Sequence, residues 1–307
     1  MKVFRWNDLK FAAILLAMMS WCAPSIAQDF EKAVVKAEMI SANLYVLFGA
    51  GGNIGVSVGD DAVFVIDDQY AQMAPKITAA IKQITDKPVK FVMNTHWHGD
   101  HTGGNEAMGT AGAIIVAHDN VRKRMSSDQL ISLLDWKVPP SPKAALPLVT
   151  FAKDVTFHIN GDEIFAFHVA NAHTDGDAIV RFKKANVIHM GDTFFNGLYP
   201  FIDTSSGGNP DGVIAVANRV LELADENTKI IPGHGPVATK ADLKALRDML
   251  VTVTMRVKAM SKKGKSMKEI IAAKPTAEFD EKWGKGFLPP ERFVASLVGA
   301  YMPVKAK

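Results

Sequence analysis

The sequence predicts an α+β fold in which two β-sheets pack against each other and helices cover their outer faces. Two observations predict it. Strand and helix patterns follow one another in the same order twice, first over residues 33–136 and again over residues 148–301. No low-complexity linker separates the two runs, so we expect two similar halves within one domain.

The first half is predicted to consist mainly of strands. Alternating or continuously apolar runs indicate strands, whereas apolar residues recur at helical spacing over residues 74–85, a helix that must end before Pro88. The predicted strands lie at about 33–48, 53–58, 62–67, 91–93 and 113–117, and the predicted helices at 74–85 and 119–136.

The second half repeats this order with longer helices. Its helix patterns carry apolar residues on one face, and its strand at residues 229–231 stops at Pro232. The predicted strands lie at about 148–151, 154–159, 163–169, 178–182, 187–190 and 229–231, and the predicted helices at 211–224, 239–262, 266–273 and 290–301.

The first 27 residues are typical of a secretory signal peptide. A basic segment precedes an apolar run from Phe11 to Cys22, and Ser25-Ile26-Ala27 has the small residues of a cleavage site. The run is shorter than the roughly 20 residues that cross a bilayer, so we expect no stable membrane anchor. The sequence therefore predicts a periplasmic or secreted protein. Its mature part, residues 28–307, is expected to form a single domain with helices at the C-terminal end.

Composition excludes several classes of function. The chain has 35 basic and 32 acidic residues and no basic run of five or more, which argues against a nucleic-acid partner. The single cysteine, Cys22, lies in the predicted signal peptide, so the mature chain has neither a disulfide nor a thiolate. A metal site in this protein must therefore use His, Asp or Glu.

The densest group of reactive side chains follows directly after the predicted strand 91–93. Three histidines and one aspartate lie within six residues: His96, His98, Asp100 and His101. His96 and His98 are two residues apart, so they project to the same side of an extended chain, while the other two project elsewhere and suit a second metal. Because one metal needs about three or four ligands, this group cannot complete two sites.

The missing ligands are expected at the ends of other strands. Three residues share one context, in that each follows an apolar strand and lies near glycine: His173, Asp192 and His234. A lone histidine is usually an ordinary core or surface residue. The repeated context, together with the histidine cluster, favours a joint metal site instead.

The sequence resembles the metallo-β-lactamase superfamily in one ordered set of residues: His96-Trp97-His98-Gly99-Asp100-His101, followed by His173, Asp192 and His234. The resemblance covers about residues 40–240. It implies a four-layer αββα sandwich with a binuclear centre at one edge, usually holding zinc, and thus two Zn²⁺ per chain. The resemblance assigns the first metal to His96, His98 and His173, the second to Asp100, His101 and His234, and a bridging role to Asp192.

The implied chemistry is hydrolysis of a small-molecule substrate. Two metals about 3.5–4 Å apart can share a hydroxide whose pKa falls toward 7, and this hydroxide attacks a carbonyl. Asp100 is the catalytic residue that would orient the nucleophile or carry its proton, as its family counterpart does. Asp67 is expected to support the histidine loop by a hydrogen bond, the alternative being a plain turn carboxylate. We expect pocket walls at residues 49–53, Trp136 and residues 196–212. Ordinary packing of surface loops stays open as an equal alternative for each of them.

The residues around Asp192 narrow the class of substrate. The segment Gly191-Asp192-Thr193 resembles the glyoxalase II and lactonase branches, whereas the main β-lactamase subclass has a cysteine there and a lysine at the position of Phe195. Glyoxalase II is normally intracellular and binds glutathione through a C-terminal domain, but residues 240–307 contain no obvious basic site for a thiol peptide. We expect a hydrolase of an ester, lactone, thioester or β-lactam, with β-lactamase activity among its candidate reactions.

Three alternatives stay open at this point. One is a di-iron oxidoreductase, because some relatives hold two irons at similar residues and reduce oxygen or oxidise sulfur compounds. The second is a glyoxalase II-like thioesterase. The third is a non-catalytic accessory protein of an exported pathway, which His98→Ala would support if it left every activity intact. Metal analysis and the visible spectrum distinguish zinc from iron.

Overall fold

The structure, a computed structural model, describes residues 29–301, so the predicted signal peptide at residues 1–27 lies outside the described part. The strands are β1 (Lys36–Ser41), β2 (Leu44–Phe48), β3 (Ile54–Val58), β4 (Val63–Ile66), β5 (Val89–Met93), β6 (Ile114–His118), β7 (Gln129–Ile131), β8 (Trp136–Val138), β9 (Val149–Phe151), β10 (Asp154–Ile159), β11 (Asp162–His168), β12 (Ala178–Phe182), β13 (Val187–Phe195) and β14 (Lys229–His234). The helices are α1 (Ala74–Ile84), α2 (Gly99–Thr102), α3 (Asn105–Thr110), α4 (Asp119–Met125), α5 (Pro210–Leu223), α6 (Lys240–Lys262), α7 (Met267–Ala272), α8 (Asp280–Trp283) and α9 (Pro290–Tyr301). None of these helices has the length and apolar character needed to cross a membrane.

Two large sheets contain most of the strands. The first has seven strands in the order β1-β2-β3-β4-β5-β6-β9, and the second has five in the order β10-β11-β12-β13-β14. Most neighbours are antiparallel. The parallel pairs are β4 with β5, β5 with β6 and β6 with β9 in the first sheet, and β13 with β14 in the second. These parallel pairs bring the loops that follow them to one edge of each sheet.

The two faces of β4 show how the first sheet is buried on both sides. Its side chains alternate with a period of two, and all four are fully buried. Val63 and Val65 pack with Ile77 of α1 on the outer face. Phe64 and Ile66 point the other way, into the core shared with the second sheet. A fully apolar strand is therefore explained by burial on two sides.

The second sheet is covered in the same way. Ile231 of β14 faces the core between the sheets, whereas Ile230 packs outward with Val213 of α5 and Leu243 of α6. The layers are thus helix, sheet, sheet and helix. The prediction of a four-layer αββα sandwich is confirmed.

One predicted helix is wrong. The helix predicted over residues 119–136 ends at Met125, and a two-stranded hairpin of β7 and β8 follows. The helix stops at Ser126, whose hydroxyl donates to the carbonyl oxygen of Arg122 at 2.7 Å. Serine and aspartate compete for backbone hydrogen bonds in this way, so the segment 126–128 favours an end over continuation.

Candidate metal centre

The first group of converging side chains lies beyond β5. Strand β5 ends at Met93, the chain bends through residues 95–97, and helix α2 begins at Gly99. The loop gathers its histidines at one place, since the ring centroid of His96 lies 4.9 Å from that of His98 and 4.2 Å from that of His101. One ligand atom from each of four buried residues lies within 4.8 Å of the others: His96, His98, His173 and Asp192.

The second group shares Asp192 with the first. Its members also offer ligand atoms within 4.8 Å of one another: Asp100, His101, Asp192 and His234. The Nε2 atom of His234 lies 3.2 Å from Asp100 Oδ2 and 3.4 Å from Asp192 Oδ1. All seven side chains singled out by the sequence are therefore brought together, although they come from four separate segments of the chain.

The two oxygens of Asp192 face different groups. Oδ2 lies 3.8 Å from His96 Nε2 and 3.7 Å from His173 Nε2, while Oδ1 lies 3.0 Å from His101 Nε2. Gly233 makes room for this carboxylate, because a Cβ at that position would lie 2.0 Å from its Oδ1. Asp192 thus has the geometry of a bridging ligand.

Hydrogen bonds to the ring nitrogens that face away from the centre orient three of the imidazole rings. His173 Nδ1 donates to the carbonyl oxygen of Phe201 at 2.7 Å, and His98 Nε2 donates to Asp203 Oδ2 at 3.1 Å. His101 Nδ1 donates to a carboxylate oxygen of Asp67 at 2.8 Å. In each ring the other nitrogen faces the centre, where a metal ligand has to point.

Asp67 supports the histidine loop, as the sequence predicts. Besides His101, its carboxylate accepts hydrogen bonds from the backbone N–H and the hydroxyl of Thr95, both at 2.7 Å. Asp67 is fully buried and has a φ of 61°, in the left-handed region that aspartate tolerates better than most residues. The predicted supporting hydrogen bond is confirmed.

Two further carboxylates were missed by sequence reasoning. Asp203 accepts from His98 and from the backbone N–H of Ser206, and Asp177 accepts from the backbone N–H groups of His173 and Thr174. Asp203 is followed by Thr204 and Ser205, and Asp177 lies three residues after Thr174. Aspartates in such segments commonly bond nearby N–H groups in turns. That pattern indicates a structured turn but not its proximity to a metal site.

The first group is suited to neutral, ligating histidines. Burial lowers the pKa of His96 well below its ordinary value and lowers that of His173 to about 4. The Nε2 atom of His96 is buried without a hydrogen-bond partner among the described residues, and it lies 3.8 Å from Oδ2 of Asp192. Because buried polar atoms are rarely left unpaired, this nitrogen points to a cation between it and that oxygen.

The second group places two carboxylates beside two histidines. Burial would lower the pKa of His234, but the carboxylates of Asp192 and Asp100 raise it to about 9. Burial would raise the pKa of Asp100, but the neighbouring His101 and His234 lower it to about 2. The same field attracts a metal ion, so the nitrogen and oxygen donors of both groups fit two divalent cations.

A cavity of about 400 Å³ opens directly over the centre. His98, Asp100, Asp192 and His234 lie along it, and Trp136, predicted as a wall residue, lines it too. Of the predicted wall at 196–212, Tyr199 and Phe201 line the cavity. Ser205 and Ser206 are not among the lining residues, because their hydroxyls bond Asp203 instead.

The glycine turn at residues 49–53 packs against the metal loop. Gly52 donates its backbone N–H to the carbonyl oxygen of Asp100 at 3.0 Å, and a Cβ on Gly52 would lie 2.0 Å from the ring of His101. Ala50 lines the cavity. Trp97 is 3% exposed and packs in the outer core of the second sheet.

We expect Asp203→Ala to weaken metal binding in the first group about 10- to 100-fold, because His98 loses the partner that fixes its ring. Asp203→Asn keeps an accepting oxygen and should lose less. Titration of metal-free protein with Zn²⁺ in the presence of a competing chelator measures the effect. Asp248→Ala removes a carboxylate from the exposed face of α6 and is the control. An unchanged affinity in Asp203→Ala would contradict the orienting role.

Comparison with known proteins agrees with the fold. A sequence profile described as the metallo-beta-lactamase superfamily matches residues 49–234, more than half of the chain. Hydroxyacylglutathione hydrolase from Nitrosococcus oceani is 29% identical over 147 residues. That match covers 47% of this chain and 47% of the relative, so it spans about half of the relative's length.

Two solved structures share the fold at 18% identity. A metallo-beta-lactamase from Pontibacter korlensis has a TM-score of 0.57, and the match covers 70% of this chain and 98% of that one. A stereoselective inverting sec-alkylsulfatase from a Pseudomonas species has a TM-score of 0.64 and covers 87% of this chain and 50% of that one. At this identity the structures support the architecture alone, whereas the profile match is decisive. This chain belongs to the metallo-beta-lactamase superfamily.

Proposed function

We propose that this protein is an exported metal-dependent hydrolase that holds two Zn²⁺ ions and cleaves a small carbonyl substrate, namely an ester, lactone, thioester or β-lactam. The observation that carries the proposal is the pair of donor groups that share Asp192 beneath an open cavity. Bound there, two divalent cations would lower the pKa of a water molecule and polarise a carbonyl oxygen. The proposed ligands are His96, His98, Asp100, His101, His173, Asp192 and His234.

Asp100 is the proposed catalytic residue. Its carboxylate lines the cavity, and its lowered pKa of about 2 keeps it deprotonated at neutral pH. A deprotonated carboxylate beside the reaction site can accept a proton from the attacking water and hold that water toward the carbonyl. Its hydrogen-bonding distance to His234, 3.2 Å between Oδ2 and Nε2, keeps the carboxylate in place.

Export is part of the proposal and rests on residues 1–27 alone. Amino-terminal sequencing of protein recovered from the producing cells tests it. A mature chain that begins near Gln28 and is enriched outside the cytoplasm supports export, and an intact amino terminus found inside the cell overturns it.

A glyoxalase II-like thioesterase is the second candidate function. The similarity to hydroxyacylglutathione hydrolase favours it, since the matched region is 29% identical. It uses the same proposed centre and differs in the substrate, a glutathione thioester. Turnover of S-lactoylglutathione well above that of simple esters would select this candidate.

The test combines metal analysis with a substrate panel. Purified protein loaded with Zn²⁺ should contain about two zinc ions per chain, be colourless, and hydrolyse at least one of four substrates: an aryl ester, a lactone, a thioester or nitrocefin. A coloured protein that contains two irons, consumes oxygen and turns over none of the four would overturn the hydrolase in favour of an oxidoreductase.

A further inference from the structure

We propose that the substrate carries an uncharged, apolar group, a medium-length alkyl chain or an aromatic ring, which lies along an aromatic wall between the metal centre and the surface. This inference rests on the proposed function, since it takes the centre as the place of reaction. Three features of the cavity carry it: a continuous aromatic wall, exposed aromatic side chains at its mouth, and a shortage of cationic side chains.

The aromatic wall begins at a proposed metal ligand. The ring centroids of His98 and Phe201 lie 5.7 Å apart, and those of Phe201 and Phe287 lie 6.3 Å apart. Phe287 is 63% exposed, so this row of rings runs from the buried centre to solvent. On the other side of the centre, Phe195 stacks on His234 with centroids 5.0 Å apart. A substrate held at the centre would therefore have aromatic surface on both sides.

The hairpin of β7 and β8 forms the facing wall. Its contribution to the lining is mostly apolar and includes Ile131, Leu134 and Val138. Trp136 also lines the cavity and is 52% exposed. Trp136 and the exposed Phe287 line the same cavity, and an exposed apolar patch at the mouth of a cleft is typical of ligand binding.

The charge of the lining argues against an anionic substrate tail. Among the described residues that line the cavity, Lys137 is the one lysine or arginine, and it lies on the solvent-exposed strand β8. Glutathione thioesters and most β-lactams carry a carboxylate, which a dedicated site pairs with a fixed cation. Without such a partner, the cost of removing a carboxylate from water favours an uncharged group in this cavity.

The volume of the cavity limits the size of the apolar group that the substrate can carry. About 400 Å³ lies near the lower end of the volumes that hold small ligands, and the reacting carbonyl occupies the part next to Asp100. The remaining space suits a chain of medium length and excludes a folded macromolecule. A longer apolar chain buries more of Phe201 and Phe287, so binding should strengthen from acetyl to octanoyl groups.

The test compares p-nitrophenyl acetate, octanoate and hemisuccinate with the Zn²⁺-loaded protein. We expect kcat/KM for the octanoate to exceed that for the acetate at least about ten-fold, and the hemisuccinate to be the poorest. Phe287→Ala should lower kcat/KM for the octanoate about ten-fold or more and leave the acetate within about two-fold. Met255→Ala, which removes a 60% exposed side chain from α6, is the control and should change neither.

A binding measurement separates this inference from the proposed function. Calorimetry with octanamide, acetamide and succinamate requires no turnover. Octanamide should bind at least about ten-fold more tightly than the other two, and Phe287→Ala should remove that preference. If octanamide shows this preference but no ester, lactone, thioester or β-lactam is hydrolysed, the hydrolase proposal fails and the inferred class of ligand stands. Preference for succinamate or the hemisuccinate, or an unchanged preference in Phe287→Ala, overturns the inference.

Discussion

Asp192→Ala is expected to abolish hydrolysis, with kcat/KM lowered about a thousand-fold or more, and to leave fewer than two metal ions per chain. The reason is geometric. Each oxygen of this carboxylate faces a different group of histidines, so its removal takes one ligand from both metal positions. It also removes the negative charge that offsets two divalent cations placed close together. The measurement is metal content after dialysis, together with kcat/KM on the best substrate of the panel.

Asp192→Asn provides the graded comparison. The amide has nearly the same shape but only one ligating oxygen and no charge, so one metal position should be retained better than the other. Asp211→Ala removes a carboxylate from an exposed pair with Lys258 and serves as the control. Retention of two metal ions and of full activity in Asp192→Ala would refute the shared-ligand arrangement.

Asp67→Ala is expected to lower the free energy of unfolding of the metal-free protein by roughly 3–6 kcal/mol. Three buried donors lose their acceptor: the N–H and hydroxyl of Thr95 and the Nδ1–H of His101. Each unsatisfied donor costs about 1–3 kcal/mol, and alanine adds about 1–2 kcal/mol because residue 67 has a φ of 61°. Some relaxation of the loop and entry of water keep the total below the simple sum. Urea unfolding monitored by circular dichroism measures it.

Asp67→Asn is the matched variant for this site. Asparagine tolerates the left-handed backbone and keeps one accepting oxygen, so it should lose clearly less stability than alanine. Asp67→Ala should also weaken metal binding in the second group, because the Nδ1 atom of His101 loses its acceptor, and Asp67→Asn should weaken it less. A loss below about 1 kcal/mol in Asp67→Ala would show that the loop is held by other contacts.

Periodicity predicted the regular elements well where one face of each was buried. The helix predicted at 239–262 is found as Lys240–Lys262, where the side chain of Thr239 accepts from the backbone N–H of Asp242. The helix predicted over 119–136 was wrong because a run of partly apolar residues fits a helix and a hairpin alike. Only pairing of β7 with β8 across the chain decides between them.

The sequence by itself determined the donor set and the layered fold. Without a cysteine after residue 22, any metal ligands must be imidazoles and carboxylates, and their order identifies the family. Only the tertiary structure decided how the ligands are held and what the cavity would accept. Asp203 reaches His98 across 105 positions of the sequence, and Phe287 meets Phe201 from a distant segment. Such contacts depend on how separate elements pack against each other. No local pattern of residue types encodes which distant segments will meet.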